Sequence, residues 1–292
     1  MKIALFGKSF SAERGPHVKQ LIQSLTDAGV RLLFYKPFAD LVSNHLSLPQ
    51  LSETFSDHKD IRTGVDMLLS IGGDGTMLDT VPVVRDSGVP VLGINMGRMG
   101  FLSSIAKQEI ELAVEKITNG DYTIEERSLI SLEQPEGMFD DLHVALNELS
   151  VFRHGTTSLI VINVFVDEVF VNAYWADGLL IATPTGSTAY SLSAGGPILT
   201  PDSAVFVITP IATHNLSVRP IVIPDKSLIR LRVTGRHTNY SLNLDSRSVI
   251  IDQSVDIIVK KAAFHVRLVK MEGKDFYATI REKLLWGIDI RN

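Results

Sequence analysis

The sequence predicts a two-part protein. An N-terminal doubly wound parallel α/β domain precedes an all-β, antiparallel domain, and a C-terminal helix packs back on the first. Three observations predict this. Over residues 1 to about 120, apolar runs of strand length alternate with runs of helical spacing. From about residue 122, strand-like segments follow one another, punctuated by turn residues. The last segment regains helical character. The expected boundaries are 1–121 with 273–292 for the α/β domain and 122–272 for the β-domain.

Taken in order, "KIALFG" reads as a buried strand, and "HVKQLIQSLTDAG" as an amphipathic helix with a Gly stop. "VRLLFY" and "VDMLLSIGG" are strands, "TMLDTVPVVRDSG" is helical despite Pro82, "VPVLGIN" is a strand and "KQEIELAVEKITNG" a helix. Strands alternating with helices give a parallel sheet. The strand-like series then runs through "YTIEERSLISLE", "LHVALNELSVFR", "SLIVINVFVDEVFVNAY", "GLLIATPTG", "AVFVITPI", "IVIPDKSLIRLRVT", "YSLNLDSRSVII" and "SVDIIVKKAAFHVRLV". "DFYATIREKLLWGI" closes the chain as a helix.

Composition narrows the function. The 292 residues are 45% hydrophobic, ample for a core, and the net charge of −5 argues against a broad nucleic-acid surface. With no cysteine, disulfides, Cys-ligated zinc and a thiol nucleophile are excluded. No apolar run is long enough for a membrane span, and the N-terminus lacks a secretory apolar region. The expectation is a soluble cytoplasmic protein that binds neither nucleic acid nor membrane.

The first chemical signal is "LLSIGGDGTMLDTV", residues 68–81. A glycine run after a strand and before a helix suits phosphate, because bare backbone N–H groups and a helix N-terminus favour an anion. The dinucleotide pattern G-x-G-x-x-G is absent, and "GKS" at 7–9 lacks the leading glycine of a Walker A loop, Lys2 standing in its place. Asp74, alone among the glycines, either caps the helix from a tight turn or handles a proton or Mg²⁺. The second signal, "WADGLLIATPTGSTAYSLSAGGPIL" (175–199), combines four glycines, two prolines and many hydroxyls. It is either a loop-rich strand crossover whose hydroxyls satisfy backbone, or a surface for a sugar or nucleotide. "ALNELSV" places Asn147 beside Glu148. Alternation sends them to opposite faces unless the strand ends there.

In this order, the three segments resemble the NAD kinase family, as does an α/β domain followed by a β-domain. "GINMGRMGFLSSI" (93–105) and "IREKLLW" (280–286) are similar to family segments too. GGDGT is shared with diacylglycerol and sphingoid kinases; the stretch 177–197 is the specific part. The resemblance implies phosphorylation of the adenosine ribose 2′-hydroxyl of NAD by ATP, with NAD and ATP as substrates. It implies Asp74 as proton acceptor, and Gly72, Gly73, Gly75 and Thr76 shaping the phosphate site. It implies Asn147 and Glu148 on adenine and ribose, and Asp177 accepting from the nicotinamide carboxamide. Thr188, Ala189, Tyr190, Ser191, Leu192 and Ser193 would line the adenosine side, with Phe101 nearby. Mg²⁺, or another divalent cation, would arrive with ATP, with no protein residue named as a metal ligand. A homodimer or homotetramer is implied as well. The chain departs from the family at Arg98, where His is common, at Trp175, where relatives carry Arg or a smaller residue, and at Arg247, where Gln is frequent. Trp175 would stack on a ring or cover the pocket edge. A lipid or sugar kinase of the same superfamily wants an apolar pocket that the hydroxyls of 183–193 do not suit. A non-catalytic dinucleotide sensor has no use for Asp74. The eight histidines show no metal-ligand spacing.

Overall fold

The computed structural model describes residues 1–286 apart from 10, 12, 46–52, 98–99, 104, 156–157, 236–238 and 253. The chain divides into two compact units, 1–126 with 266–292, and 127–265.

The first unit is built on one sheet in the order Thr54–Phe55, Arg31–Tyr35, Lys2–Phe6, Met67–Gly72, Val91–Asn95, Val266–Met271, Tyr122–Arg127, with Ile105–Ala106 also on Val91–Asn95. The pairings from Thr54–Phe55 through Val266–Met271 are parallel. Met67–Gly72 and Val91–Asn95 are buried at every position, as strands covered on both faces must be. Helix Gly15–Asp27 carries Pro16 in its first turn and buries Val18, Leu21, Ile22 and Leu25 at helical spacing. Helix Ile110–Asn119 buries Ile110, Ala113, Val114 and Ile117 and ends on Gly120 at φ +78°. The edge strand Tyr122–Arg127 is pinned by Lys270–Glu125 (2.6 Å) and Arg267–Glu126 (3.3 Å).

The second unit holds two six-stranded sheets joined by antiparallel pairs. One orders Ile221–Pro224, Val205–Ile211, Gly178–Ala182, Glu148–Arg153, Asn239–Leu244, Arg247–Asp252. The other orders Val169–Ala176, Ile160–Val166, Ile229–Thr234, Asp256–Lys261, Ile130–Gln134, Val144–Ala145. Leu149, Val151, Leu179 and Leu242 of the first share one core with Ile162, Val164, Leu231 and Val259 of the second. This is a sandwich packed through alternating inward residues.

Several elements differ from the sequence reading, and Tyr122–Arg127 and Val266–Met271, expected within the β-domain at 122–272, pair instead in the sheet of the first unit. The helix expected over 76–88 is two short ones, Asp74–Leu78 and Val81–Val84, because Pro82 opens the second and cannot continue the first. A helix at Lys36–His45 had not been read. "SVDIIVKKAAFHVRLV" is two strands in different sheets, Asp256–Lys261 and Val266–Met271. The C-terminal helix forms over Phe276–Leu284, capped by Asp275 accepting from the Ala278 amide at 2.7 Å. It lies in the first unit. No helix among the described residues is long and apolar enough to cross a membrane.

Candidate active site

In the first unit the strand order reverses at Lys2–Phe6, which pairs with Arg31–Tyr35 on one side and Met67–Gly72 on the other. The crevice outside the carboxyl ends of the strands at such a point is where doubly wound sheets bind ligands. Gly72–Thr76 leaves the sheet at that end. Gly72 is required by packing, since a Cβ there would lie 2.2 Å from Thr76 Oγ1. A Cβ on Gly73 or Gly75 would meet nothing within 4 Å, so the fold alone does not demand those two.

Asp74 does not cap its own helix. The N-cap is Gly73, with no side-chain cap bond. Its carboxylate instead reaches a loop far along the chain. Oδ2 accepts from the Phe101 amide at 2.7 Å, and Oδ1 from Leu102 and Ser103 at 3.2 and 3.0 Å. A Cβ on Gly100 would fall 2.0 Å from Oδ1, so the loop approaches as closely as only glycine allows. An ionised carboxylate has about four lone-pair sites, and three donors leave one. Lys8, in the "GKS" set aside above, follows the first strand and pairs with Asp79 at 2.8 Å, just past the helix that Asp74 opens. Arg98 lies outside the described residues.

The second unit brings the Asn147–Glu148 pair and the hydroxyl-rich stretch together. Strand Glu148–Arg153 begins at the pair, so strict alternation does not govern it. Thr183 Oγ1 donates to Leu146 O at 2.6 Å, the Thr183 amide to Asn147 O at 2.9 Å, and a Cβ on Gly186 would lie 2.0 Å from Asn147 O. Asn147 is buried. Glu148 is largely buried, and its Oε2 has no partner among the described residues. Burial, and then the charge of Asp245, push the Glu148 carboxyl up to about 8. Burial also pushes Asp245 up, against the three amides it accepts from, which lower it. Glu148 has no such donors to lower it, and at about 8 it holds its proton at neutral pH.

Several hydroxyls are spent on structure. Ser187 donates to Pro184 O (2.7 Å), Thr188 to Thr185 O (3.2 Å), and buried Ser191 bonds Thr209 Oγ1 (2.8 Å). Tyr190 and Ser193 are exposed, and Ala189 and Leu192 half-buried. Tyr190 stacks on Phe152 at 5.9 Å between centroids. Next to Phe152, Arg153 Nε donates to Asp177 Oδ1 at 2.6 Å. Arg153 was missed by sequence reasoning. The signal was the antiparallel pairing of "SVFR" with "DGLL", which sets Phe152 against Gly178. Trp175 is 57% exposed, and Arg247 donates to the carbonyls of Leu142 (2.5 Å) and Val144.

Comparison with known proteins decides the family. Residues 18–122 match the ATP-NAD kinase N-terminal domain, and 146–271 the ATP-NAD kinase C-terminal domain. The chain belongs to the NAD kinase family. NAD kinases of Flavobacterium psychrophilum and Cytophaga hutchinsonii are 42% and 41% identical over the full length of both chains. Among solved structures, yeast NADH kinase complexed with NADH superposes with a TM-score of 0.87 at 25% identity, covering 100% of this chain and 89% of that one. An NAD kinase from Archaeoglobus fulgidus in complex with ATP gives 0.73 at 25% identity, covering 94% and 95%. As a NAD kinase the chain is a phosphotransferase with an alcohol group as acceptor.

Proposed function

We propose that the chain transfers the terminal phosphoryl group of ATP to the 2′-hydroxyl of the adenosine ribose of NAD, with Asp74 as proton acceptor. The observation that carries the assignment is the Asp74 carboxylate, oriented by three backbone N–H groups and left with one lone-pair site for a substrate hydroxyl. As the ribose oxygen attacks, an O–P bond forms to the γ-phosphorus and the bond from that phosphorus to the bridging oxygen breaks. The hydroxyl proton passes to Asp74, and ADP leaves with the bond's electron pair. Gly73 and Gly75, bare without steric need, leave backbone open to phosphate.

Asn147 and Glu148 take adenine and ribose. Thr188, Ala189, Leu192 and Ser193 line the adenosine, and Tyr190, backed by Phe152, is its aromatic wall. Ser191, which the resemblance also implies on the adenosine side, is buried and bonds Thr209 instead. Asp177 receives the nicotinamide carboxamide with Arg153 holding its other side. Trp175 covers the pocket edge.

Among the described residues, no three His, Asp or Glu gather to hold a metal. Both Asp74 oxygens accept amides, and Asp79 is paired with Lys8. Such residues suit a cation carried by the nucleotide, as Mg²⁺ often is. Bound with ATP, Mg²⁺ neutralises phosphate charge. We assign the reaction to the cytoplasm, in keeping with a chain free of cysteine, and the working species to a homodimer or homotetramer. The test is an assay with Mg·ATP and NAD, read by an NADP-specific dehydrogenase, with NADH and polyphosphate in parallel. Folded protein that makes no NADP would overturn the proposal.

A further inference from the structure

We propose that the turn at Asp245–Arg247 is the device that positions the Asn147–Glu148 pair for the dinucleotide, with Asp245 as positioning residue. This rests on reading that pair as nucleotide-binding.

The pair sits where the chain changes sheets. Val144–Ala145 belongs to one sheet and Glu148–Arg153 to the other, so the segment between them has no ladder to satisfy its backbone. Leu146 and Asn147 are buried there, and their N–H groups need acceptors. Asp245 supplies all of them. Its Oδ2 accepts from the Leu146 amide at 2.8 Å, and its Oδ1 from Asn147 and Glu148 at 2.8 and 3.2 Å. The Asp245 amide in turn donates to Glu148 O at 3.0 Å. Thr183 takes the carbonyls of Leu146 and Asn147. The backbone of the pair is thereby fixed on both sides.

Arg247 completes the grip. Its guanidinium donates to the carbonyls of Leu142 and Val144, so one turn holds carbonyls upstream of the pair and amides at the pair itself. Arg247 stands where Gln is frequent in the family, and its contacts make it the second half of this clamp.

The backbone shows that the side chain is what matters at Asp245. Leu244 pairs with Arg247, which leaves Asp245 and Ser246 as a two-residue hairpin loop. Asp245 has φ +52°, the left-handed region, at the first position of that loop. Glycine is the residue that such a position favours. Aspartate also tolerates this region, and what sets Asp245 apart is that its carboxylate accepts from three amides outside its own turn.

This separates the two roles experimentally. Asp245→Gly relieves the backbone and deletes the carboxylate. Asp245→Asn keeps one acceptor but turns an N–H₂ donor toward a backbone donor. The full-length enzyme, these two variants, Asn147→Ala and Glu148→Ala are compared by steady-state kinetics, varying NAD and ATP separately, with melting curves alongside. Asp245→Gly is expected to raise KM for NAD about tenfold or more, with KM for ATP within about twofold and a lowered melting temperature, since the amides of Leu146, Asn147 and Glu148 lose their acceptor. Asp245→Asn is expected to shift KM for NAD in the same direction by less. A general folding defect would not single out NAD. Folded Asp245→Gly with an unchanged KM for NAD, beside raised values in Asn147→Ala and Glu148→Ala, would overturn the clamp while leaving the nucleotide reading intact. If Asp245→Gly does not fold, Asp245→Asn decides on the same criterion. If Asn147→Ala and Glu148→Ala both bind NAD normally, the nucleotide reading fails and the clamp's function fails with it.

Discussion

In the proposed mechanism, Asp74 holds the loop at Phe101–Ser103 and takes a proton with the same carboxylate. Asp74→Asn is expected to cut kcat by about 10²–10⁴ with NAD affinity largely kept, measured by turnover and a binding titration; normal turnover would remove the proton role. Asn also presents a donor to the loop's donors, so a second variant is informative. Gly100→Ala keeps the carboxylate and drives a methyl into it. A loss of kcat there of about tenfold or more would show that placement counts beside basicity. Asp177→Ala is expected to weaken NAD binding, and an unchanged Kd would reject the nicotinamide role. Glu148 yields a prediction for the free enzyme. Unfolded, it loses its proton near 4.5; folded, it keeps it to about 8. Across that window the folded state binds more protons, so stability falls as pH rises. Glu148→Gln should flatten the decline in melting temperature between pH 5 and 8, seen by calorimetry; an identical slope would mean that Glu148 does not titrate this way.

At the scale of elements, GGDGT was legible because glycine runs are rare between a strand and a helix. Its partner loop came only through the resemblance, at 93–105 with Phe101, since the hydrogen bonds that the amides of residues 101–103 donate to Asp74 leave no mark in local pattern. Asp245 was passed over for a related reason: an aspartate in a two-residue turn looks like ordinary turn chemistry. The helices at 15–27 and 110–119 were readable from spacing and glycine stops. The break at Thr80 was not, because Pro82 is tolerated in a first turn as readily as it ends a helix. The hydroxyls of 183–191 read as ligand-facing, yet those of Thr183, Ser187, Thr188 and Ser191 bond to the protein itself. These four bonds are what the crossover alternative expects. The fit of that stretch on the Asn147 backbone is tested by Gly186→Ala, whose methyl would lie 2.0 Å from Asn147 O. Overpacking of this kind costs about 1–3 kcal/mol, so a lower melting temperature and a raised KM for NAD are expected together. A variant with wild-type values for both would show that the contact yields without effect.

For the whole molecule, the exposed apolar side chains of the second unit include Val169 (68%), Phe170 (55%) and Ile250 (55%). Assembly through this unit would bury them. Light scattering on the purified chain should return two or four times the 32.1 kDa protomer mass; a monomer at micromolar concentration would reject the proposed assembly.

Strand Val266–Met271 pairs with Val91–Asn95 inside the first sheet, although the rest of that sheet is written within the first 127 residues. A ribosome adding about 5–20 residues per second therefore leaves this sheet short of a strand for roughly 10–30 s after Tyr122–Arg127 has been made. During that time the apolar strand Val91–Asn95, already paired with Ile105–Ala106 at Ile94 and Asn95, has its Val91 end unfilled on that side, open to mispairing with a neighbouring nascent chain. The enzyme's N-terminal part matures last, and a fragment ending at residue 126 would carry that vulnerability permanently.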